Sequence, residues 1–325
     1  MANPQDEFRA AILAALGAAP DSIESGRLHR FSLNGRRSDT AGWCHLFDDG
    51  RAGVFGDFRA GLSQVWTAQR RELMTEAERT DLARQMAEAT ARRRQVLADA
   101  QAAQAPRLAQ LWAECQPVAA DGSGADPVTL YLRRRLALDP GELLQVPAVI
   151  RLHPALPYFH DGERAGTWPA MVAAVQGADG AAVVLHRTWL SPEGRKAPTP
   201  GPAKKLTAAA GPVMGGCIRL AWPGQGASDV LGIAEGIETA MAARQASGVP
   251  AVAAYSAGAL AAWQWPRGLQ GLVIFADADP AGADAADKLR HRAGAAGLHV
   301  RVMTPATPGA DWCDVWAGRA REVAA

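Results

Sequence analysis

The stretch GLVIFADADPAG, residues 271–282, runs from a short apolar segment directly into two aspartates, Asp277 and Asp279. The apolar residues are rich in β-branched and aromatic side chains, which is typical of a strand covered on both faces in a parallel sheet. Because side chains alternate along a strand, the pattern predicts that the two carboxylates point in the same direction. Like charges at that spacing repel each other unless a cation lies between them.

Two interpretations of this aspartate pair are open. Mg²⁺ prefers oxygen ligands and takes one or two carboxylates together with several waters, so the pair suits a metal site. Alternatively, Asp279 followed by Pro280 fits a helix N-cap with proline at the first helical position. An Asp-x-Asp pattern by itself does not decide between the two.

A second strand upstream also ends on an acid. Residues 230–234 form an apolar segment that ends at Glu235, turns on Gly236 and continues as an alanine-rich amphipathic helix. Open α/β sheets bind their ligands at the carboxyl ends of such strands. Together with the helices and strands predicted after it, this strand gives the order β-α-β-α-β-α-β, so the sequence predicts three acids at the ends of two strands of one sheet.

The order of these motifs resembles the Toprim domain shared by bacterial-type primases, topoisomerases and several nucleases. The motifs EGIETA at 235–240, DADPAG at 277–282 and GADWCDVW at 309–316 are most similar to Toprim primases of phages, plasmids and integrative elements. The resemblance covers roughly residues 228–318.

The resemblance also implies roles for the acidic residues. Three carboxylates would hold a divalent metal, Mg²⁺ or Mn²⁺, where phosphoryl chemistry takes place: Glu235, Asp277 and Asp279. Asp311 and Asp314 would lie near a second metal, with a spacing one residue wider than in replicative primases. Glu238 is interpreted as a solvent-facing helix residue that could also reach the metal cluster from the first turn of its helix.

The segment before the acidic motifs is more basic. Residues 121–225 contain 11 Lys/Arg against 8 Asp/Glu, whereas residues 226–325 contain 8 against 10. A helix that begins at Asp126, a hairpin and a lysine-bearing segment are predicted here. They form either a surface hairpin with scattered charges or, by the resemblance, the basic half of a primase core. In that half three residues would face template phosphates or a nucleoside triphosphate: Arg187, Lys204 and Lys205.

The N-terminal third predicts a helix from Asn3-Pro4 to about Leu16, followed by short aromatic-rich strands. Its His and Cys residues lack the spacing of a zinc site, so they are interpreted as strand residues. They are His29, Cys44 and His45. Its aromatic residues are predicted to be core, or to stack on single-stranded bases if one is exposed. They are Trp43, Phe55, Phe58 and Trp66.

A long helical segment follows. Thr75 and Glu78 have the pattern of a capping box, and Pro106 is a possible break in the helix. Four domains are therefore expected: an N-terminal helix with a small β-rich unit (1–67), a helical connector (68–120), a basic subdomain (121–225) and the Toprim domain (226–325).

Composition limits the remaining choices. The chain has 325 residues, 48% of them hydrophobic, and a net charge of +1, which carries no global nucleic-acid signature. The four cysteines, at 44, 115, 217 and 313, form no CxxC pair, which disfavours a zinc ribbon or disulfide framework and favours the cytoplasm. The sequence shows no signal peptide, membrane-length apolar run or P-loop, so no membrane role and no helicase motor are expected.

The predicted fold class is α/β: a Rossmann-like, mainly parallel Toprim domain preceded by a basic α+β subdomain, a helical connector and a small β-rich unit. The predicted function is that of a primase, a nucleotidyltransferase that makes short RNA primers. Its partners would be single-stranded DNA, ribonucleoside triphosphates and a separate replicative helicase. The alternatives are a Toprim-type nuclease and a catalytically inactive, DNA-binding replication accessory protein.

Overall fold

A computed structural model describes residues 3–35, 39–57, 62–68, 74–139, 141–222 and 229–323. The predicted core residue Phe58 and the side chain of Glu78 lie outside the described part of the chain. The chain divides into two compact units, Met1–Ala98 and Asp99–Ala325. Among the described residues, no helix has the length and apolar content needed to cross a bilayer.

The first unit begins with helix α1 (Pro4–Leu16), which Asn3 caps by accepting a hydrogen bond from the Gln5 N–H. Four antiparallel strands follow in the spatial order β1-β2-β3-β4. They are β1 (Leu28–Phe31), β2 (Gly42–Leu46), β3 (Ala52–Asp57) and β4 (Leu62–Thr67). Phe8 and Ile12 of α1 pack on buried residues of the sheet, including Cys44 and Phe55. The expected N-terminal helix and small β unit are both present.

Helix α2 (Glu76–Glu114) is the predicted long helical segment. Pro106 lies inside this helix and does not end it. Leu82 packs in the core of the first unit, and Leu108 packs in a core of the second.

The second unit contains an antiparallel sheet in the order β5-β6-β7-β8-β9, with helix α3 (Pro127–Arg135) packed on it. The strands are β5 (Gln116–Pro117), β6 (Ile150–His160), β7 (Glu163–Gln176), β8 (Ala182–Trp189) and β9 (Lys204–Leu206). Asp126 caps α3 by accepting from the N–H groups of Val128 and Thr129, as the sequence predicted.

The same unit contains a four-stranded parallel sheet in the order β11-β10-β12-β13. Its elements are β10 (Val230–Ala234), α4 (Ile237–Ser247), β11 (Ala251–Ala253), α5 (Ala257–Ala262), β12 (Gly271–Phe275), α6 (Pro280–Ala295), β13 (His299–Met303) and α7 (Trp312–Val323). This order confirms the predicted Rossmann-like, parallel C-terminal fold.

Helices cover both faces of the parallel sheet. Phe275 of β12 packs with residues of α4 and α7 on one face, while Leu272 and Ile274 pack with α5 and α6 on the other. Burying each such side chain stabilises the fold by roughly 1.5–3 kcal/mol. A strand covered on both faces has no room for charge, so the acids of this sheet lie at its edge.

Candidate active site

Glu235 and Asp277 leave neighbouring strands at the same edge of the parallel sheet. Ala234, the last residue of β10, pairs in register with Phe275, the last residue of β12. Neighbouring strands lie about 4.8 Å apart. Glu235 follows β10 directly and Asp277 follows β12 by one intervening residue, so the two acids emerge side by side at the carboxyl edge, as predicted.

Asp277 is half-buried, and its Oδ1 atom is buried without a hydrogen-bond partner among the described residues. Burial raises the pKa of its carboxyl group to about 7, and four nearby negative charges add to that increase: Glu235, Asp311, Asp279 and Asp314. The group therefore titrates near neutral pH, and a cation beside it would relieve both the repulsion and the burial cost.

Glu235 shares this environment. Burial raises the pKa of its carboxyl group, and the charge of Asp279 raises it further. A hydrogen bond from the Ala257 backbone and the positive charge of Lys204 act in the opposite direction. The charge of Asp279 thus opposes ionisation of Glu235, and the charge of Lys204 favours it.

Asp279 is the N-cap of α6, where its Oδ1 accepts a hydrogen bond of 2.7 Å from the Gly282 N–H. The N-cap interpretation is confirmed. Because β12 ends at Phe275, strand alternation does not extend to the aspartates, and they differ: Asp277 is half-buried and Asp279 is exposed. Capping uses one carboxylate oxygen, and the other retains its lone pairs for a cation.

Gly282 allows α6 to begin this close to the acidic edge. A Cβ atom at this position would lie 2.8 Å from the Asp277 carbonyl oxygen, closer than real Cβ contacts allow. The glycine of the DADPAG motif therefore has a packing role, since any side chain there would push the helix away from Asp277.

Asp311 and Asp314 cap the start of α7 reciprocally. The Asp314 N–H donates to Asp311 Oδ1 at 2.8 Å, and the Asp311 N–H donates to Asp314 Oδ2 at 3.3 Å. A hydrogen bond of 2.9 Å from the Ala278 N–H to the Ala310 carbonyl ties this turn to the segment that carries Asp277. Asp311 and Asp314 thus add negative charge beside Asp277. One oxygen of each accepts a backbone hydrogen bond at the start of α7.

The structure corrects the interpretation of Glu238, which is not solvent-facing. Its relative exposure is 3%, and it accepts hydrogen bonds from the Tyr131 hydroxyl and from Lys204 Nζ. Burial favours the neutral acid, but the Lys204 charge and the two hydrogen bonds lower the pKa of Glu238, so it stays ionised. The prediction was wrong because the first turn of α4 is buried on the side where these two residues meet it.

A single sequence does not reveal this contact, because its partners lie far apart in the chain. Tyr131 lies 107 residues before Glu238, and Lys204 lies 34 residues before it. The one local signal was the uncharged sequence of α4 around Glu238, where Ile237, Thr239 and Ala240 are also buried. An acid within a buried helix turn requires a partner.

The three predicted basic residues are divided between the two faces of the antiparallel sheet. Lys204 pairs with Thr188, and Lys205 pairs with Arg187. Because neighbouring residues of a strand point to opposite faces, Lys204 lies on one face and the other two basic residues lie on the other. Only Lys204 joins the acidic edge, through Glu238 and through its effect on Glu235.

Arg187 and Lys205 lie over aromatic rings instead. The Arg187 guanidinium carbon is 5.0 Å from the centre of the Trp189 ring, and Lys205 Nζ is 3.9 Å from that of Tyr158. Burial lowers the pKa of Arg187, and its Nε atom is buried without a hydrogen-bond partner among the described residues. These two cations form a face of their own, separate from the acids.

The acidic edge fits a divalent cation by its donor chemistry. Within the described ranges, no three His, Cys, Asp or Glu side chains are close enough to form a preformed metal site. Mg²⁺ usually binds through one or two carboxylates together with waters and substrate phosphates. Glu235 and Asp277 offer such oxygens side by side, and the buried Oδ1 atom of Asp277 has no other partner among the described residues.

Comparison with known proteins gives two family matches. A family model described as a Toprim domain matches residues 230–322. A second model, described as a domain of unknown function, matches residues 102–220. A search of the curated proteins gives no significant match.

The solved structures to which this chain is similar include three from primases. A DNA primase domain from Pseudomonas aeruginosa has a TM-score of 0.35 and 18% identity, over 52% of this chain and 55% of that chain. The primase fragment of the bacteriophage T7 primase-helicase has a TM-score of 0.34 and 17% identity, over 52% of this chain and 64% of that chain. The Aquifex aeolicus primase with its zinc-binding and RNA polymerase domains has a TM-score of 0.32 and 11% identity, over 99% of this chain and 85% of that chain. The chain thus spans less than two thirds of the first two proteins.

Proposed function

Because residues 230–322 form a Toprim domain, as the resemblance predicted, we propose that the protein is a DNA primase. It would be a metal-dependent nucleotidyltransferase that makes short RNA primers on single-stranded DNA. The observation that carries this proposal is the position of Asp277, half-buried beside Glu235 with an oxygen that lacks a partner among the described residues.

In the proposed reaction, the primer 3′-oxygen forms a bond to the α-phosphorus of the incoming nucleotide as the bond to pyrophosphate breaks. Glu235 and Asp277, with Asp279, would hold Mg²⁺ or Mn²⁺. When bound, the cation lowers the charge on the triphosphate and stabilises the attacking and leaving oxygens of an in-line displacement. Glu235, whose pKa is raised by burial, would accept the proton of the 3′-hydroxyl.

The basic residues would act on the two sides of the antiparallel sheet. Lys204, beside the acidic edge, would contact the triphosphate. Arg187 and Lys205, on the opposite face, would contact phosphates of the template strand.

A single assay distinguishes this proposal from its alternatives. End-labelled single-stranded DNA and labelled ribonucleotides are incubated with the protein and Mg²⁺. Control reactions omit the DNA or the ribonucleotides. New ribonucleotide chains that require template and Mg²⁺ support a primase. Shortening of the DNA without nucleotides indicates a nuclease, and binding without either product indicates an accessory protein.

Asp277→Asn is the matched variant for this assay. It keeps the size of the side chain and removes the negative charge, so primer synthesis should be lost while the thermal unfolding temperature is maintained. Full synthesis by this variant would exclude the proposed site.

A further inference from the structure

A cleft of about 560 Å³ lies at the end of the antiparallel sheet that is remote from Lys204. Its volume is within the range of small-molecule sites, about 300–1,000 Å³. Two half-buried tryptophans line it, Trp112 at the end of α2 and Trp222, together with Gln176 and Arg219.

An arginine is stacked on each of these tryptophans. The guanidinium carbon of Arg219 lies 3.9 Å from the centre of the Trp222 ring, and that of Arg151 lies 4.3 Å from the centre of the Trp112 ring. Arg151 also donates a hydrogen bond of 3.3 Å to the Trp112 carbonyl. Two cation–aromatic pairs therefore flank one cleft.

The Arg219 pair is held in place by the turn between β7 and β8. Arg219 Nη2 donates to the carbonyls of Gly177 and Ala178 at 2.7 Å and 3.3 Å. A Cβ atom at Gly180 would lie 3.1 Å from Arg219 Nη1, so a residue without a side chain gives the guanidinium room to lie there. The Arg219 guanidinium is therefore held over the Trp222 ring before a ligand arrives.

The charge of this cleft is positive. None of the described residues that line it is acidic. Arg219 is the charged residue among the described residues that line it. A ligand that suits the cleft therefore combines planar rings with negative charge, and nucleotides of a single strand have both.

We propose that the Arg–Trp cleft, lined by Trp112, Arg219 and Trp222 with Arg151 stacked on Trp112, binds single-stranded nucleic acid by stacking its bases. Tryptophan and arginine both offer flat faces to bases, and stacking of this kind tolerates any sequence. Stacking needs no metal, so the proposal does not depend on catalysis at the acidic edge.

The cleft is distinct from the acidic edge. Ala182, which lines the cleft, lies at one end of β8, and Thr188, which pairs with Lys204, lies near the other. At about 3.3 Å per residue, these two positions are about 20 Å apart. A strand that occupies both sites would extend over several nucleotides.

The test is a binding titration with a fluorescein-labelled oligo-dT, followed by anisotropy, in EDTA and with the full-length protein. Trp112→Ala and Trp222→Ala should each weaken binding by about tenfold, the loss of one stacked base. Trp265→Ala is the matched control, because Trp265 is also half-buried beside an arginine, Arg292 at 5.4 Å, but lies outside the cleft. Wild-type affinity in both cleft variants, or an equal loss in the control, would overturn the proposal.

Two further measurements use the wild-type protein, so a misfolded variant cannot affect them. They also separate binding at the cleft from binding at the acidic edge. Photo-crosslinking of an iodinated oligonucleotide to the wild-type protein should label Trp112 or Trp222, and labelling confined to other residues would contradict the proposal. Repeating the wild-type titration with Mg²⁺ in place of EDTA should give the same affinity, because stacking needs no metal. Binding that requires Mg²⁺ would mean that the acidic edge, rather than the cleft, holds the strand.

Discussion

Lys204 Nζ lies 2.9 Å from the carboxylate of Glu238, whose side chain keeps 4% of its exposure. This ion pair joins β9 of the antiparallel sheet to α4 of the Toprim domain. Glu238 lies in the first turn of α4, three residues after Glu235, so the pair fixes a lysine of the antiparallel sheet beside the acidic edge. Tyr131 of α3 completes the contact by donating its hydroxyl to the same carboxylate.

Glu238→Gln should destabilise the protein, because it leaves Lys204 without its counter-charge. Breaking a fully buried pair costs about 3–5 kcal/mol, but Lys204 keeps 38% of its side-chain exposure, so we expect about 1–3 kcal/mol. Urea unfolding measures this loss. The exposed Glu163 gives the control, since Glu163→Gln should change the free energy of unfolding by less than about 0.5 kcal/mol. Equal stability of the two variants would mean that the pair contributes nothing.

Tyr131→Phe should remove one of the two side-chain donors to Glu238. A hydrogen bond to a charged acceptor contributes about 1.5–3 kcal/mol, and one to a neutral acceptor contributes about 0.5–1.5 kcal/mol. Tyr158 is equally buried but donates to the neutral Pro202 carbonyl, so Tyr158→Phe should cost less. Thermal unfolding of both variants ranks them, and the reverse order would count against an ionised Glu238.

The stabilisation of the protein by Mg²⁺ should increase with pH. The folded state raises the pKa of Asp277 from 3.8 to about 7, so between these values the folded protein holds a proton that the unfolded chain does not. Asp277 therefore stabilises the folded, metal-free protein at low pH. This contribution to the free energy of unfolding is lost as the pH rises towards 7. Metal binding must displace that proton, so the rise in Tm with Mg²⁺ should be larger at about pH 8 than at about pH 6.

Asp277→Asn is the control for this pH dependence. The variant cannot titrate at this position, so its response to Mg²⁺ should be small and similar at both pH values. A wild-type response that is equal at both values, or larger in acid, would show that Asp277 does not hold the cation.

Lys205→Gln should reduce the salt dependence of single-stranded DNA binding. One lost phosphate contact makes the slope of log K against log salt less negative by about 0.7. Lys288→Gln is the control, because Lys288 pairs with Asp284 on the exposed side of α6. Titrations at several salt concentrations give the slopes. An unchanged slope for Lys205→Gln would mean that the sheet face with Arg187 and Lys205 does not contact the template.

The parallel sheet and its acidic edge were predictable because their signals are local. The apolar run before Asp277, the acid after residues 230–234 and the glycines that end helices each act within a few residues. Parallel strands also place their carboxyl ends together without further information. The positions of Glu235 and Asp277 followed from these features.

The contacts of Glu238 and the division of the basic residues were not predictable in this way. Glu238 meets Tyr131 only after two distant helices pack together. Lys204 and Lys205 are neighbours in sequence, and only the pairing of β9 with β8 shows which of them faces the acids. Such long-range packing leaves no periodic signal in a single sequence.

We propose that Glu235 and Asp277 together hold a divalent cation. Titration of Mn²⁺ followed by electron paramagnetic resonance measures this binding directly, since bound Mn²⁺ loses the signal of the free ion. The wild type and Asp284→Asn, an exposed aspartate of α6, should bind the ion with equal affinity, and Glu235→Gln and Asp277→Asn should each bind it at least about tenfold more weakly. Wild-type affinity in both Glu235→Gln and Asp277→Asn would show that these two residues do not hold the cation.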